Sequence, residues 1–168
     1  MGYTRTPDVH DHSVETAILE QRSHKDLRRT PFQVVPGVVA SVAYADGDAL
    51  GTKFRVPVSS SGTITLTLVS DLDKEALSIA FLLFDDDFAG GTDNSAFDKA
   101  DADRDKFIGF LTVSSFQSLN DNAVGQSATV LDFVAPKREL FVQAVAKGAQ
   151  NLTKSTDYGV SFVYEDHS

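Results

Sequence analysis

The stretch "GTITLTLVS", residues 62–70, alternates apolar and hydroxyl side chains almost one for one. Ile64, Leu66 and Leu68 fall on one side and Thr63, Thr65 and Thr67 on the other, the period-two pattern of a half-buried β-strand. The same period recurs from about Val38 onward, in "VVASVAYA" (38–45), "ALGTKFRV" (49–56), "LSIAFLLF" (77–84), "KFIGFLTV" (106–113), "ATVLDFV" (128–134), "ELFVQAVA" (139–146) and "YGVSFVY" (158–164). "LSIAFLLF" is apolar on both faces, as a central strand covered from two sides would be. The turn signals "SSSG", "SDLDKE", "FAGGTDN", "NDNAVG" and "NLTKSTD" separate these runs. About eight short strands so spaced predict an all-β fold, an antiparallel β-sandwich of jelly-roll-like character. One short helical turn is expected within "DNSAFDKADAD" (93–103), with Asn94 or Ser95 as its cap.

At 168 residues the chain is long enough for one domain with a real core, since a domain of about 150 residues buries roughly 70% of its unfolded surface. It has no cysteine, so packing and hydrogen bonds must hold the fold without disulfides or thiolate metal sites. No apolar run approaches the roughly 18 residues of a membrane-spanning helix, and "MGYTRTPDVHDHS" lacks the apolar core of a signal peptide. "MGYTRT" matches a loose myristoylation pattern. "NLT" at Asn151 matches a glycosylation sequon and reads as a loop.

Pro31 and Pro36 divide the chain into an N-terminal arm and linker (1–36) and a β-sandwich domain (37–168). Within the arm, "SVETAILEQRSHKDLRR" reads as a helix begun at Ser13. Its apolar residues Val14, Ala17, Ile18, Leu19 and Leu27 make a stripe that fades after one or two turns. Such a segment cannot offset its own ordering entropy, so it is expected to be either loose or ordered by a partner. The contact residues expected there are Val14, Ile18, Leu19, Arg22, Leu27, Arg28 and Phe32.

Charge narrows the partners. Residues 1–30 hold five basic and five acidic side chains, so the formal charge of −9 lies wholly in residues 31–168. Nucleic acid is not expected as a partner, because phosphate contacts need a basic surface. No membrane partner is expected either.

"DADRDKFIG" (101–109) begins like an EF-hand loop, with Asp101, Asp103 and Asp105 at positions 1, 3 and 5. Position 6 is Lys106 where the sharp turn needs glycine, and position 12 is Thr112 where a bidentate glutamate belongs. The stretch instead reads as a turn whose aspartates accept backbone N–H bonds and lead into a strand. A looser calcium site at Asp101, Asp103 and Asp105 is the less favoured reading.

The wider context resembles a family of small β-rich tailed-bacteriophage virion proteins encoded beside the major capsid protein. Its features occur here in order over roughly residues 43–166. A Tyr-x-x-Gly-Asp-x-x-Gly opening (Tyr44, Gly47, Asp48, Gly51) precedes an apolar strand ending at Phe84 and Asp85. An Asp-Asn-x-Ala-Phe turn follows (Asp93, Asn94, Ala96, Phe97), then Ala100, Asp101 and Asp103, and a strand start at Lys106 and Gly109. A Leu-Phe-Val strand and a Thr-Asp-Tyr-x-Val closing strand complete the series. The arm falls outside the likeness, and the run Asp85, Asp86, Asp87 departs from the usual Asp, small polar residue and Pro.

The resemblance implies a capsid decoration or cement protein, non-enzymatic and without cofactor. It implies contact with the major capsid protein, trimeric self-association, synthesis in the bacterial host cytoplasm and residence on the exterior of the phage head. A tail or connector component is the nearer alternative. A calcium-assisted glycan-binding sandwich is the other, weakened by the absence of tryptophan and the few tyrosines, the usual sugar platforms. Enzyme chemistry has little footing, since His10, His12 and His24 lie in the arm and His167 at the last residues, where none is held rigidly enough for a triad. The His-x-His pair of "DVHDH" reads as polar linker before it reads as a metal site.

Overall fold

In the computed structural model, which describes residues 26–39, 41–72, 75, 78–152 and 158–168, the alternation at 62–70 becomes the middle of a six-stranded antiparallel sheet. In chain order the strands are β1 (Asp26–Arg29), β2 (Gln33–Val34), β3 (Ala43–Tyr44), β4 (Ala49–Pro57), β5 (Ser61–Asp71), β6 (Ile79–Phe84), β7 (Phe107–Val113), β8 (Phe116–Ser118), β9 (Ala123–Val134), β10 (Glu139–Ala146), β11 (Gln150–Asn151) and β12 (Tyr158–Asp166). The large sheet runs β1-β12-β5-β9-β8, with β2 also on β12. The second sheet runs β4-β10-β6-β7, and β3 pairs with β11 as a short ribbon.

The sheets meet face to face as a β-sandwich. Ile64, Val69, Val160 and Phe162 of the first sheet share one buried cluster with Phe81, Leu83, Leu111 and Val142 of the second. Phe81 and Phe162 touch edge to face across the layer, their ring centroids 6.3 Å apart, within the range such pairs prefer.

β6 is central in its sheet and buried on both faces, as its apolar run predicts. On the outer side, the connection from β6 to β7 folds back and lays Phe88 and Phe97 against Phe84, Phe107 and Phe141 of the sheet as a second, smaller core. Phe84 and Phe88 stack at 3.8 Å. Gln143, buried in β10, holds this connection down by accepting the Gly91 N–H at 3.0 Å.

Several expectations are corrected. The helix expected through "HKDLRR" is a strand at its end: Asp26–Arg29 pair with Asp166–Val163. An open edge of β12 was available there, and Arg29 and Thr30 precede Pro31, which disfavours helix. Gln33–Val34 continue along β12, so residues 26–34 belong to the large sheet.

The helical turn lies later than expected. Residues 101–106 form a single 3-10 segment, its N-cap Ala100 making no side-chain cap bond. Asn94 instead takes a left-handed conformation in a turn. "VVASVAYA" supplies only the two residues of β3, because Gly37 and Ser41 turn the chain with positive φ. Asn151 lies in β11 and not in a loop.

The alternation in β5 also changes phase. A bulge between Ile64 and Leu66 shifts the side chains by one position. Ile64, Thr67 and Val69 are therefore buried, while Leu66 and Leu68 are left half-buried on the outer face.

Candidate partner-binding surface

The end of the arm is bonded into the sheet where it meets Pro31. Thr30 donates its N–H to the Phe162 carbonyl at 2.9 Å, and its hydroxyl accepts the Phe162 N–H at 2.9 Å. The Ser161 hydroxyl closes the set by donating to the Thr30 carbonyl at 2.7 Å. Proline brings no N–H, so it interrupts the ladder on an outer strand, the place where sheets tolerate it.

Of the seven contact residues expected from sequence, Leu27, Arg28 and Phe32 are described: Leu27 and Arg28 stand in the edge strand β1 and Phe32 between β1 and β2. Val14, Ile18, Leu19 and Arg22 lie outside the described residues. Leu27 is 64% exposed and Phe32 45%. The Phe32 ring lies over Gly159, whose missing side chain leaves it room. The Arg29 guanidinium is 4.9 Å from that ring's centroid, a cation–π distance.

Beside this edge lies a cleft of about 430 Å³ lined by Arg28, Arg29, Ser59, Arg138, Tyr164 and Ser168, among others. Three of the five described arginines thus meet on a body of negative charge. Arg28 is matched by Asp166 at 2.9 Å and Asp26 at 3.3 Å. Arg29 donates from Nε to the Ser161 hydroxyl at 3.1 Å. Among the described residues neither Arg29 nor Arg138 has a carboxylate partner. Ser59 and Tyr164 share a hydroxyl–hydroxyl bond of 3.2 Å in the wall.

Arg138 holds an unusual backbone conformation for its type, φ +57°, which costs about 1 kcal/mol in a residue with a Cβ. Two bonds fix it: its N–H donates to Ala135 O at 2.8 Å and its carbonyl accepts the Val58 N–H at 3.0 Å. Sequence reasoning missed Arg29, Ser59, Arg138 and Tyr164. The available signal was "PKR" (136–138), a basic turn in an acidic body.

Arg29 also borders an apolar groove of about 420 Å³ on the outer face of the large sheet, lined by Phe32, Val34, Leu68, Leu72 and Val124. Val34 and Leu72 are more than half exposed. The bulge in β5 is what turns Leu68 into this groove.

The acidic loops are built differently from a calcium site. Asp103 is buried and accepts the Ala89 N–H at 2.9 Å and the Lys106 ammonium at 2.7 Å. Lys106, with Ala89 second, holds its carboxyl below the usual range. Asp101 and Asp105 are exposed on either side. Asp87 pairs with Lys53 at 2.6 Å and Asp86 with Lys137. Asp86, Asp87 and Asp103 are thus each paired with a lysine. Among the described residues no three His, Asp or Glu side chains converge to hold a metal. Lys106, one of the two residues that break the EF-hand pattern, is the one that neutralises Asp103.

Some of the residues carrying the resemblance, the Tyr44–Gly51 opening and the Asp93–Phe97 turn, meet in one clasp. Asp93 accepts the Tyr44 hydroxyl at 2.9 Å and the Gly51 N–H at 2.6 Å. Asp48 accepts the Ala45 N–H at 2.7 Å and pairs through its backbone with Ala96. The Phe97 N–H reaches Gly47 O at 2.9 Å. Their work is to fasten the β6–β7 connection to the start of β4.

No protein-family model, curated protein or solved structure matches this chain.

Proposed function

We propose that this protein is a non-enzymatic structural component of a tailed-phage virion, decorating the outer capsid surface and bridging neighbouring major capsid subunits. The observation that carries the reading is the edge of the large sheet. There the arm joins a rigid sandwich beside exposed Leu27, Phe32 and Val34, so an arm ordered by a neighbour is tied to a body that does not deform. The ordered motifs over residues 43–166 add the likeness to virion proteins.

Many copies on a symmetric lattice gain by multivalency, so each contact can be weak. Trimeric association and an outer position, with the acidic body away from packaged DNA, belong to the same proposal.

Copy number in purified virions, measured against the major capsid protein by quantitative mass spectrometry, tests it. A ratio near one to one is expected. A handful of copies moves the protein to the tail or connector, and absence from the virion overturns the reading. Deleting residues 1–25 leaves β1 in place and is expected to weaken capsid attachment; unchanged occupancy removes the arm from the mechanism.

A further inference from the structure

We propose that the arginine cleft and the adjoining apolar groove form one binding site for an acidic–apolar segment of a partner protein, its carboxylate held by Arg29 and Arg138 and its apolar side chains laid along Phe32, Val34, Leu68 and Val124.

Charge complementarity selects the acidic half. The body has 19 acidic against 10 basic side chains beyond residue 30, yet Arg29 and Arg138 both line this cleft with no carboxylate partner among the described residues. Arginine's planar fork suits a carboxylate, which it binds through two parallel N–H bonds. The hydroxyls of Ser59 and Tyr164 in the wall are bonded to each other at 3.2 Å, which leaves the arginines as the groups to hold the carboxylate. Ser168 also lines the cleft, but its hydroxyl is turned to Asp166 at 2.7 Å.

Arg138 gives a second, independent observation. Its position has a positive φ, where glycine would be free of strain. A strained backbone kept at a cleft points to a use for the side chain it carries. Turn closure alone needs only the backbone bonds of residue 138.

Arg29 joins the halves because it lines both cavities. An apolar surface continuous with the cleft favours a polypeptide over a free inorganic anion. The recognition chemistry is the same whether or not that polypeptide is a capsid subunit.

The test is titration of the ¹⁵N-labelled full chain, followed by NMR at constant ionic strength. The probe is a capped tetrapeptide of one aspartate and three leucines; its asparagine counterpart and inorganic phosphate are the comparisons. The aspartate peptide is expected to move amide signals both at Arg29, Ser59 and Arg138 and at Val34 and Val124. The asparagine peptide should bind about tenfold more weakly, as loss of a charge-assisted pair implies. Arg138→Gly relieves the strained φ and should fold at least as stably while losing about tenfold in affinity. Val124→Ser should weaken the peptide and leave phosphate unaffected. Equal binding of the two peptides, or full affinity in Arg138→Gly, overturns the proposal. Phosphate moving the cleft signals as strongly as the peptide, with the groove signals still, also overturns it in favour of a free-anion site.

Discussion

The Tyr44 hydroxyl donates to the Asp93 carboxylate at 2.9 Å, joining residues 49 positions apart. Asp93 also accepts the N–H of Gly51 at 2.6 Å and of Val39 at 3.2 Å, so one carboxylate gathers three segments. Burial, and then the Asp93 hydrogen bond and charge, push the Tyr44 phenol up from its ordinary value, which keeps it a donor. Tyr44→Phe is expected to cost about 1–3 kcal/mol, the range for an unmade buried hydrogen bond. Asp93→Ala should cost more, since it strands three donors. Because the folded-state value is raised, the wild type also loses stability as pH climbs past about 10, and Tyr44→Phe should flatten that loss. Urea midpoints at pH 7 and pH 10.5 check both; a Tyr44→Phe change under about 0.5 kcal/mol would mean the clasp carries no stability.

Gly51 and Gly47 make a matched pair. Both have positive φ, +63° and +91°. A Cβ on Gly51 would lie 2.1 Å from the Pro36 carbonyl oxygen, whereas one on Gly47 meets nothing within 4 Å. Pro36 cannot retreat freely, because its carbonyl accepts the Thr52 N–H at 2.7 Å. Gly51→Ala should therefore cost about 3 kcal/mol or more, conformation plus clash, and Gly47→Ala about 1 kcal/mol, conformation alone. Thermal melts of the two proteins side by side give the ranking, and equal losses would contradict it.

Thr67 is fully buried, and among the described residues its hydroxyl has no hydrogen-bond partner. The bulge in β5 put it there by turning the threonine face inward beyond Ile64. Thr67→Val keeps the branched shape and removes the stranded polar atom, so it should raise stability by about 1 kcal/mol. A drop on chemical denaturation would show that the hydroxyl is satisfied in solution.

Seven of the eight strands expected from periodicity are present, six close to their expected bounds, because each is long and has a buried face that the alternation records; the seventh, β9, starts at Ala123, inside the expected turn "NDNAVG". "VVASVAYA" failed because the left-handed turn at Ser41 carries no pattern a propensity could flag. The phase change in β5 was illegible for a related reason: a bulge moves one backbone position and leaves composition untouched. The end of the arm misled because "DLRR" (26–29) has no intrinsic strand character, and its conformation is set by the edge of β12, about 140 residues away in sequence. Leu27, Arg28 and Phe32 were named for apolar and basic character; of these Phe32 lines the groove and Arg28 lines the cleft. Arg138 and Ser59 were not named, since they reach the cleft from the turns after β9 and β4, which only the pairing of β10 with β4 brings together.

Asp166 ties the cleft to pH. Its side chain is 3% exposed and meets Arg28 at 2.9 Å, and the Ser168 hydroxyl and N–H donate to it at 2.7 and 2.9 Å. The Ser168 bonds first, then the Ser59 hydroxyl and the Arg28 charge, draw its carboxyl down to about 2. A value depressed below the unfolded-state value of about 3.9 adds stability that is present above that pH and is lost as pH falls through about 2. The stability gap between wild type and Asp166→Asn should accordingly be widest at pH 7, narrow below pH 4 and close near pH 2. Melting temperatures of both proteins at pH 7, 4, 3 and 2 follow the gap directly. A gap that stays constant across this range would assign the loss in the variant to packing and not to the charge that Arg28 and Ser168 hold in place.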